Sequence, residues 1–293
     1  MIIKKMDLVL QGPYWEFTDK IIESYLTVPF VNNIILSCWA DSTVSDYVFN
    51  NPRVILFKNQ YPIQNGTNNK NLQIVSSFNG LKRVTTKLSA KMRTDQRYTN
   101  ESMMVMYDYY QKHKKENLIF VAGMFLNHPF SPRDHLFWGE TKDLINLFDI
   151  PLEFNGAGDR IRKNLHENLV KRHVKYQMEG NHEFAVSLSY YTSLYTTPET
   201  YIGANYCSQF DDRIPLMLLE PEKYLNVGAP NRLESFSIHH QLTPKCFKSF
   251  PRIGIDLEWP KKGFKHYPYE EQSLSYSESW AETHPWPEAM KYN

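Results

Sequence analysis

Two cations and one carboxylate stand within five residues of this sequence, in the order Lys91, Arg93 and Asp95. The stretch 88–92 is predicted to be a strand, which brings all three side chains to or near its carboxyl end. The fork of an arginine matches phosphate oxygens, and a neighbouring carboxylate can hold a divalent ion that bridges a diphosphate. A surface cluster of salt bridges explains the same spacing equally well, so the motif alone favours neither interpretation.

Two further polar segments follow predicted strands. Gln11-Gly12-Pro13 ends the apolar run 7–11 and exposes backbone groups to which a nucleotide base could bind, although an ordinary tight turn explains it more simply. Asp41 comes shortly after the apolar run 33–37. The glycine-rich fingerprints of dinucleotide-binding folds and of P-loops are both missing after the first strand, which leaves those two classes without support.

These segments must be positioned by an alternation of strands and helices. Apolar runs predict strands at 7–11, 33–37, 53–57 and 118–122, and a further strand is predicted at 88–92. Helices are predicted to begin at Thr18, to span 71–87 on apolar periodicity, and to span 101–113. This alternation predicts the α/β class, with a doubly wound, mostly parallel central sheet flanked by helices. Ligands of such sheets bind at the carboxyl ends of the strands. The second half is irregular and shows no linker, so we expect a single domain.

Composition excludes several classes of function. The formal net charge of +1 removes the broad electrostatic footprint of a nucleic-acid binder. Three widely spaced cysteines indicate neither a disulfide framework nor a zinc site. The longest apolar run, 118–126, is far shorter than a membrane span, and we therefore expect a cytoplasmic protein without a transmembrane segment. Aromatic residues reach 14%, and such rings either stack on sugars or fill cores.

The order of several short motifs resembles the WavE family of lipopolysaccharide-synthesis glycosyltransferases. The resemblance extends from about residue 7 to about residue 205, and the order and spacing of the motifs give it its specificity. The matching motifs are Leu10-Gln11-Gly12-Pro13, 33–39, Asn71-Leu72-Gln73 running to Asn79-Gly80-Leu81, 91–95, Asp134-His135-Leu136-Phe137-Trp138-Gly139 with Asp143-Leu144, and Pro198-Glu199-Thr200-Tyr201.

The resemblance implies a GT-A-like enzyme that transfers a sugar from a nucleotide-sugar donor to a hydroxyl of a surface glycan. It implies a nucleotide-binding half over about 1–125 and an acceptor half over about 126–293. A glycan or glycolipid would be the acceptor, and peripheral contact with a membrane would suit a lipid-linked one. The donor-binding residues would be Gln11, Gly12, Pro13, Asp41, Asn71, Gln73, Arg83, Lys91 and Arg93.

One departure from the usual pattern concerns the metal. Arg93-Thr94-Asp95 stands where GT-A enzymes usually carry Asp-x-Asp, so Asp95 is the one carboxylate left for a Mn²⁺ or Mg²⁺ ion. A departing diphosphate needs its charge offset, either by such an ion or by a cation of the chain. Arg93, Lys91 and Arg83 are the candidates for that second role.

Transfer with inversion also needs a base near the acceptor hydroxyl. We expect Glu199 to be that base, because Pro198-Glu199 falls in a tyrosine-rich stretch, 190–206, that is predicted to be a loop whose rings could stack on sugars and line an acceptor groove. Asp134 is the close rival, since it precedes the aromatic pair Phe137-Trp138, which could stack on a sugar. Glu140 and Asp143 are weaker candidates, and the helical periodicity around Asp143 is also typical of a solvated position.

Two alternatives stay open at the level of sequence. Gly158-Asp159 and Gly180-Asn181-His182-Glu183 resemble metallophosphoesterase motifs, with Asp134-His135 before them and His239-His240 after them. The first ligand pair of that family is Asp-x-His, whereas Asp134 and His135 are adjacent. A non-catalytic carbohydrate-binding module would explain the aromatic content, but it would not explain the charges at strand ends.

Overall fold

A seven-stranded sheet forms the centre of the described structure. The computed structural model describes residues 4–124, 130–153, 197–211, 214, 241–251, 255–259 and 265–268. The strands are β1 Met6–Gln11, β2 Val31–Trp39, β3 Val54–Asn59, β4 Leu88–Arg93, β5 Arg97–Tyr98, β6 Ile119–Val121, β7 Leu136–Glu140, β8 Phe247–Ser249, β9 Asp256–Trp259 and β10 Lys265–Pro268. The helices are α1 Thr18–Leu26, α2 Asp46–Asn50, α3 Lys70–Leu81, α4 Asn100–His113, α5 Thr141–Phe148 and α6 Pro198–Cys207.

The strand order of the large sheet is β3-β2-β1-β4-β7-β6-β8. β1 pairs in parallel with both β2 and β4, whereas β7 runs antiparallel to both of its neighbours, β4 and β6. The order reverses between β1 and β4, and the crevice at such a switch point is where open α/β sheets bind ligands. A smaller sheet has the order β10-β9-β5.

The two faces of the large sheet pack against different helices. Successive side chains of a strand point to opposite faces, and in β1 the residues Leu8 and Leu10 join one apolar cluster while Val9 joins the other. The first cluster contains residues of α1 and α4, and the second contains residues of α3, α5 and α6. The predicted α/β class, with a mostly parallel sheet flanked by helices, is therefore confirmed.

The turn before β4 explains why α3 is shorter than its apolar periodicity predicts. The helix ends at Leu81 rather than near residue 87. The buried carboxylate of Asp7, at the start of β1, accepts hydrogen bonds from the backbone N–H groups of Thr85 and Thr86 and from the Thr85 hydroxyl. These bonds replace the helical ones and direct the chain into β4.

The antiparallel strand β7 changes the interpretation of the aromatic pair. Phe137 and Trp138 are both fully buried, because β7 lies inside the sheet with helices on both faces. Neither ring can stack on a sugar, so that expectation is wrong and the pair belongs to the core. Within the described residues, no helix has both the length and the apolar composition needed to cross a membrane.

Candidate functional site

The turn after β1 and the end of β4 are joined by hydrogen bonds at the switch point. Thr94 donates its backbone N–H to the carbonyl of Gln11 at 3.1 Å and its hydroxyl to the carbonyl of Pro13 at 2.6 Å. Gly12 has a φ of +133°, and a Cβ atom there would lie 2.8 Å from Thr94 Oγ1. Only glycine fits this close approach, so Gln11-Gly12-Pro13 is fixed beside Arg93.

Arg93, the last residue of β4, lies between two carboxylates and binds both. Its Nε and Nη2 donate to the two oxygens of Asp95 at 2.9 and 3.0 Å, and its Nη1 donates to Asp134 Oδ2 at 2.9 Å. The Arg93 side chain is 32% exposed. Burial opposes its charge, but the two carboxylates outweigh that effect and raise the pKa of the guanidinium. Arg93 therefore stays a cation that reaches the surface.

Lys91 lies on the same face of β4 as Arg93 but deeper. The residue is fully buried, and Nζ donates to the backbone carbonyl of Asp134 at 3.0 Å. The ammonium also lies over the rings of Phe137 and Phe148, at 5.4 and 5.9 Å from their centroids. Burial lowers the pKa of Lys91 to about 8. The structure thus places Lys91 inside the protein, not on the surface that a donor would contact.

Asp134 is held ionised by its surroundings. Burial would raise the pKa of its carboxyl, but neighbouring charges outweigh burial and the pKa is lowered. Burial lowers the pKa of His135 to about 4, so at pH 7 this ring is neutral and Arg93 and Lys91 supply the charge that acts on Asp134. The side-chain amide of Gln96 lies 2.7 Å from His135 Nδ1 and fixes the ring.

Glu199 stands in the first turn of α6, and 198–207 is a helix rather than the loop predicted from the tyrosine content. Residues 190–196 lie outside the described structure. The pKa of the Glu199 carboxyl is raised to about 7, because burial and the charge of Asp134 raise it by more than Lys91 and Arg93 lower it. The two predicted bases therefore lie in one electrostatic cluster with opposite pKa shifts.

Tight packing fixes the position of α6. A Cβ atom on Gly203 would collide with the backbone carbonyl of Phe130, so the helix touches the segment that leads to Asp134. The Tyr201 hydroxyl donates to the carbonyl of Pro151 at 3.0 Å. The ammonium of Lys70 lies 4.6 Å from the centroid of the Tyr201 ring.

A buried ion pair that the sequence did not reveal lies beside α6. Lys70 Nζ and Glu153 Oε2 are 3.1 Å apart, and the side chains are 1% and 6% exposed. Asn71 is fully buried and holds the same loop, because its side chain bonds the backbone N–H and carbonyl of Glu153 and the carbonyl of Gln64. Asn71 therefore stabilises this loop, and its buried side chain does not lie at the carboxyl ends of the strands, where a donor would bind.

Three other predicted donor residues lie along the sheet. Asp41 is exposed near the end of β2 and accepts a hydrogen bond from Tyr61, whose ring stacks on Trp39 at 4.6 Å. Gln73 is partly exposed on α3, and its Nε2 is buried without a hydrogen-bond partner. Arg83 is exposed over the ring of Phe57, on the edge strand β3, three strands from β4. The structure does not bring Arg83 to Arg93.

The two weaker base candidates lie at the opposite edge of the sheet. Glu140 is in register with Leu88, the first residue of β4, and forms an ion pair with Lys87 at 3.2 Å. Asp143, in the first turn of α5, is 2% exposed, so the expectation of a solvated position is wrong. Burial raises the pKa of the Asp143 carboxyl.

The surroundings of Asp95 do not suit a divalent ion. Both carboxylate oxygens accept hydrogen bonds from the Arg93 guanidinium, whose charge would repel a metal at the same oxygens. Among the described residues, no three His, Cys, Asp or Glu side chains come together to hold an ion. The metal role of Asp95 therefore stays a prediction, and no chemical step is derived through it. The motifs at 158–159, 180–183 and 239–240 lie outside the described structure.

Comparisons with solved structures give weak likenesses. 4-Diphosphocytidyl-2C-methyl-D-erythritol synthase from Anaerococcus prevotii is 11% identical with a TM-score of 0.38, over 57% of this chain and 85% of that one. TarS from S. aureus is 10% identical with a TM-score of 0.38, over 69% of this chain and 33% of that one. Neither likeness carries an argument about activity.

Sequence comparison is more informative. No curated protein sequence matches this chain. A family model described as WavE lipopolysaccharide synthesis matches residues 8–181. The match contains the turn after β1, the whole of β4 and the segment around Asp134. Because the matched region is more than half of the chain, this protein belongs to the WavE lipopolysaccharide synthesis family.

Proposed function

We propose that this protein is a glycosyltransferase that moves a sugar from a nucleotide-sugar donor to a hydroxyl of a surface glycan or glycolipid, acting in the cytoplasm. Membership of the WavE family supports the reaction class. The observation that carries the proposal is the partly exposed fork of Arg93 at the switch point between β1 and β4, with two carboxyl groups, Asp134 and Glu199, beside it.

The donor would lie across the carboxyl edge of the sheet. Gln11-Gly12-Pro13 offers backbone groups to the base, and Asp41, near the end of β2, is available for the nucleoside. The diphosphate would lie at Arg93, whose planar fork and permanent charge suit phosphate oxygens. These positions agree with the rule that ligands of doubly wound sheets bind where the strand order reverses.

The proposed transfer step uses one cation of the chain, Arg93, and one carboxylate. The acceptor oxygen attacks the anomeric carbon while the bond from that carbon to the diphosphate oxygen breaks. The electron pair leaves with the diphosphate, whose growing charge Arg93 offsets. The proton of the acceptor hydroxyl passes to a carboxylate of the chain.

Glu199 is the better of the two bases. A general base works best when its pKa lies near the operating pH, and burial raises the pKa of Glu199 to about 7. Asp134 has a lowered pKa and an ion pair to Arg93. Asp134 therefore holds Arg93 in place, whereas Glu199 accepts the proton.

A test begins with the donor. Thermal melts with a panel of nucleoside diphosphates, with and without Mn²⁺, should give one that stabilises the protein by about 2.7 kcal/mol at 100 times its dissociation constant. If no nucleotide raises the melting temperature, the proposed function is wrong.

The base is tested with Glu199→Gln. We expect turnover to fall by about 100- to 10,000-fold with little change in donor affinity, because only proton transfer is lost. Glu101→Gln, an exposed glutamate in the first turn of α4, is the matched control and should keep full activity. Full activity in Glu199→Gln would remove this residue from the mechanism.

A further inference from the structure

The surroundings of Lys91 argue against the role of donor ligand that its sequence position indicates. The residue has no exposed surface, Nζ donates to the Asp134 carbonyl at 3.0 Å, and two aromatic rings cover the ammonium. A diphosphate could reach this ammonium only if β4, β7 and α5 separated. A buried lysine is retained only where neighbouring groups compensate its charge.

The charged groups around Glu199 include the carboxyl groups whose negative charge Lys91 compensates. From β4 come Lys91 and Arg93, and from the segment before β7 come Asp134, the neutral His135 and Arg133, whose charge acts on His135. On the other elements packed against α6, Lys70 and Glu153 neutralise each other, and Asp143 lies on α5 near the opposite edge. The fork of Arg93 is shared between Asp95 and Asp134.

At pH 7, where Lys91 still carries its proton, the charge of this cluster depends on the proton of Glu199. Two cations, Lys91 and Arg93, face three carboxyl groups, Asp95, Asp134 and Glu199. With Glu199 protonated the cluster is neutral, and with Glu199 ionised it carries one negative charge. Removal of Lys91 would add a second negative charge to the ionised state and make proton loss from Glu199 harder.

We infer that Lys91 is a positioning residue, which fixes the backbone of Asp134 and, as the second cation of the cluster, offsets the negative charge of Glu199 when that carboxyl has lost its proton. The inference rests on the proposed role of Glu199 as base. It assigns to Lys91 no contact with the donor, so its loss affects the pH dependence of turnover and leaves the affinity for donor nearly unchanged.

The test compares Lys91→Met with Lys91→Arg and with Lys87→Met. Lys87 precedes the same strand and is exposed, so its substitution removes one charge at the other edge of the sheet. In Lys91→Met we expect the acidic limb of the kcat–pH profile to move up by about one to two pH units, with donor KM changed less than about threefold. Lys91→Arg and Lys87→Met should keep the limb within about 0.3 pH units of the wild-type position.

Two results would overturn the inference. A donor KM raised about tenfold or more with an unmoved limb would make Lys91 a ligand of the donor, since a tenfold loss corresponds to one lost charged contact. A uniform loss of activity at every pH, with the limb in place, would make it a merely structural residue.

A second measurement uses the wild-type protein and needs no transfer activity. Reductive methylation with formaldehyde and a borane, read by peptide mass spectrometry, is carried out without ligand and with saturating UDP-glucose, GDP-mannose, ADP-glucose or dTDP-glucose. We expect Lys91 to stay unmodified in every sample while Lys87 is methylated. Methylation of Lys91 in the free protein, with or without protection by a nucleotide-sugar, would contradict the buried positioning role. A failure of every nucleotide-sugar to raise the melting temperature would instead count against the proposed function.

Discussion

Arg93 Nη1 and Asp134 Oδ2 lie 2.9 Å apart and connect the end of β4 to the segment that enters the antiparallel strand β7. The ion pair joins the edge proposed for the donor to the residues proposed for the acceptor. If Arg93 moves when a diphosphate binds, the ion pair with Asp134 must change as well. The electrostatic interaction of both residues with Glu199 would then change too.

Arg93→Lys tests the role of the fork. A lysine keeps the charge but loses the planar geometry that contacts two carboxylate groups and would, in the proposed function, also contact a phosphate. We expect affinity for the nucleoside diphosphate to fall about tenfold or more, measured by calorimetry. Arg83→Lys is the control, because Arg83 lies three strands away over Phe57 and its variant should bind as the wild type does. Equal losses in the two variants would contradict the assignment.

Asp95→Asn distinguishes an ion pair from a metal ligand. Loss of the charge weakens two hydrogen bonds to Arg93, so we expect the free energy of unfolding to fall by about 1–3 kcal/mol in denaturant titrations. Because Arg93 occupies both carboxylate oxygens of Asp95, we also expect, against the metal role predicted from the sequence, that the wild type transfers sugar equally well in EDTA and in Mn²⁺. Asp108→Asn, on the exposed face of α4, should change neither property. Wild-type activity that disappears in EDTA and a Mn²⁺ response that Asp95→Asn abolishes would establish the metal role.

The pH dependence of stability should separate Glu199 from His135. The pKa of Glu199 is raised from 4.5 to about 7 in the folded protein, so the stability that its neutral form contributes is lost as pH rises through about 7. The pKa of His135 is lowered from 6.5 to about 4, so its contribution falls as pH drops from about 6.5 towards 4.

Glu199→Gln removes the first of these two effects. Between pH 5 and pH 8, its free energy of unfolding should increase relative to that of the wild type, by an amount on the order of 3 kcal/mol. Urea titrations at several pH values measure this difference. Glu101→Gln should run parallel to the wild type, and a Glu199→Gln curve that does the same would mean that Glu199 titrates normally.

Gly203→Ala tests the packing that positions α6. The added methyl group would collide with the backbone carbonyl of Phe130, which cannot move without the segment that leads to Asp134. We expect a loss of about 1–3 kcal/mol or more in unfolding free energy, with lower activity. Gly139→Ala is the control, because the atom nearest to its added methyl group lies at an ordinary 3.7 Å. An equally destabilised Gly139→Ala would show that the strain is general.

The sequence was informative where local pattern determines structure. The apolar runs of β1 and β2 predicted these strands to within a few residues, because strands buried on both faces need apolar side chains. The end of β1 at Gln11 was also predicted correctly, because Gly12-Pro13 breaks the strand. The predicted parallel sheet also placed Gln11 and Arg93 at the carboxyl ends of their strands, whereas the pairing of β1 with β4 is seen only in the structure.

What could not be predicted depends on contacts between distant residues. The two-residue period of a strand places Lys91 and Arg93 on one face of the sheet. It does not predict that Phe137 and Phe148 cover Lys91, whereas Arg93 stays partly exposed. In the same way, tyrosine content indicated a loop around Glu199, whereas packing of Gly203 on Phe130 accompanies a helix. Burial, and with it the pKa of each group, is a tertiary property.

The position of β7 has a consequence for how the chain assembles. β1 to β4 can pair as soon as residues 6–93 are synthesised, but β6 joins them only when β7 inserts between β4 and β6. Until then β4 is an open edge, and unpaired edges of apolar strands recruit other chains. Insertion of β7 connects β6 to β4 and brings Asp134 to Arg93, so aggregation during synthesis should be greatest before residue 140 has left the ribosome, and the ion pair of Arg93 with Asp134 cannot form earlier than that.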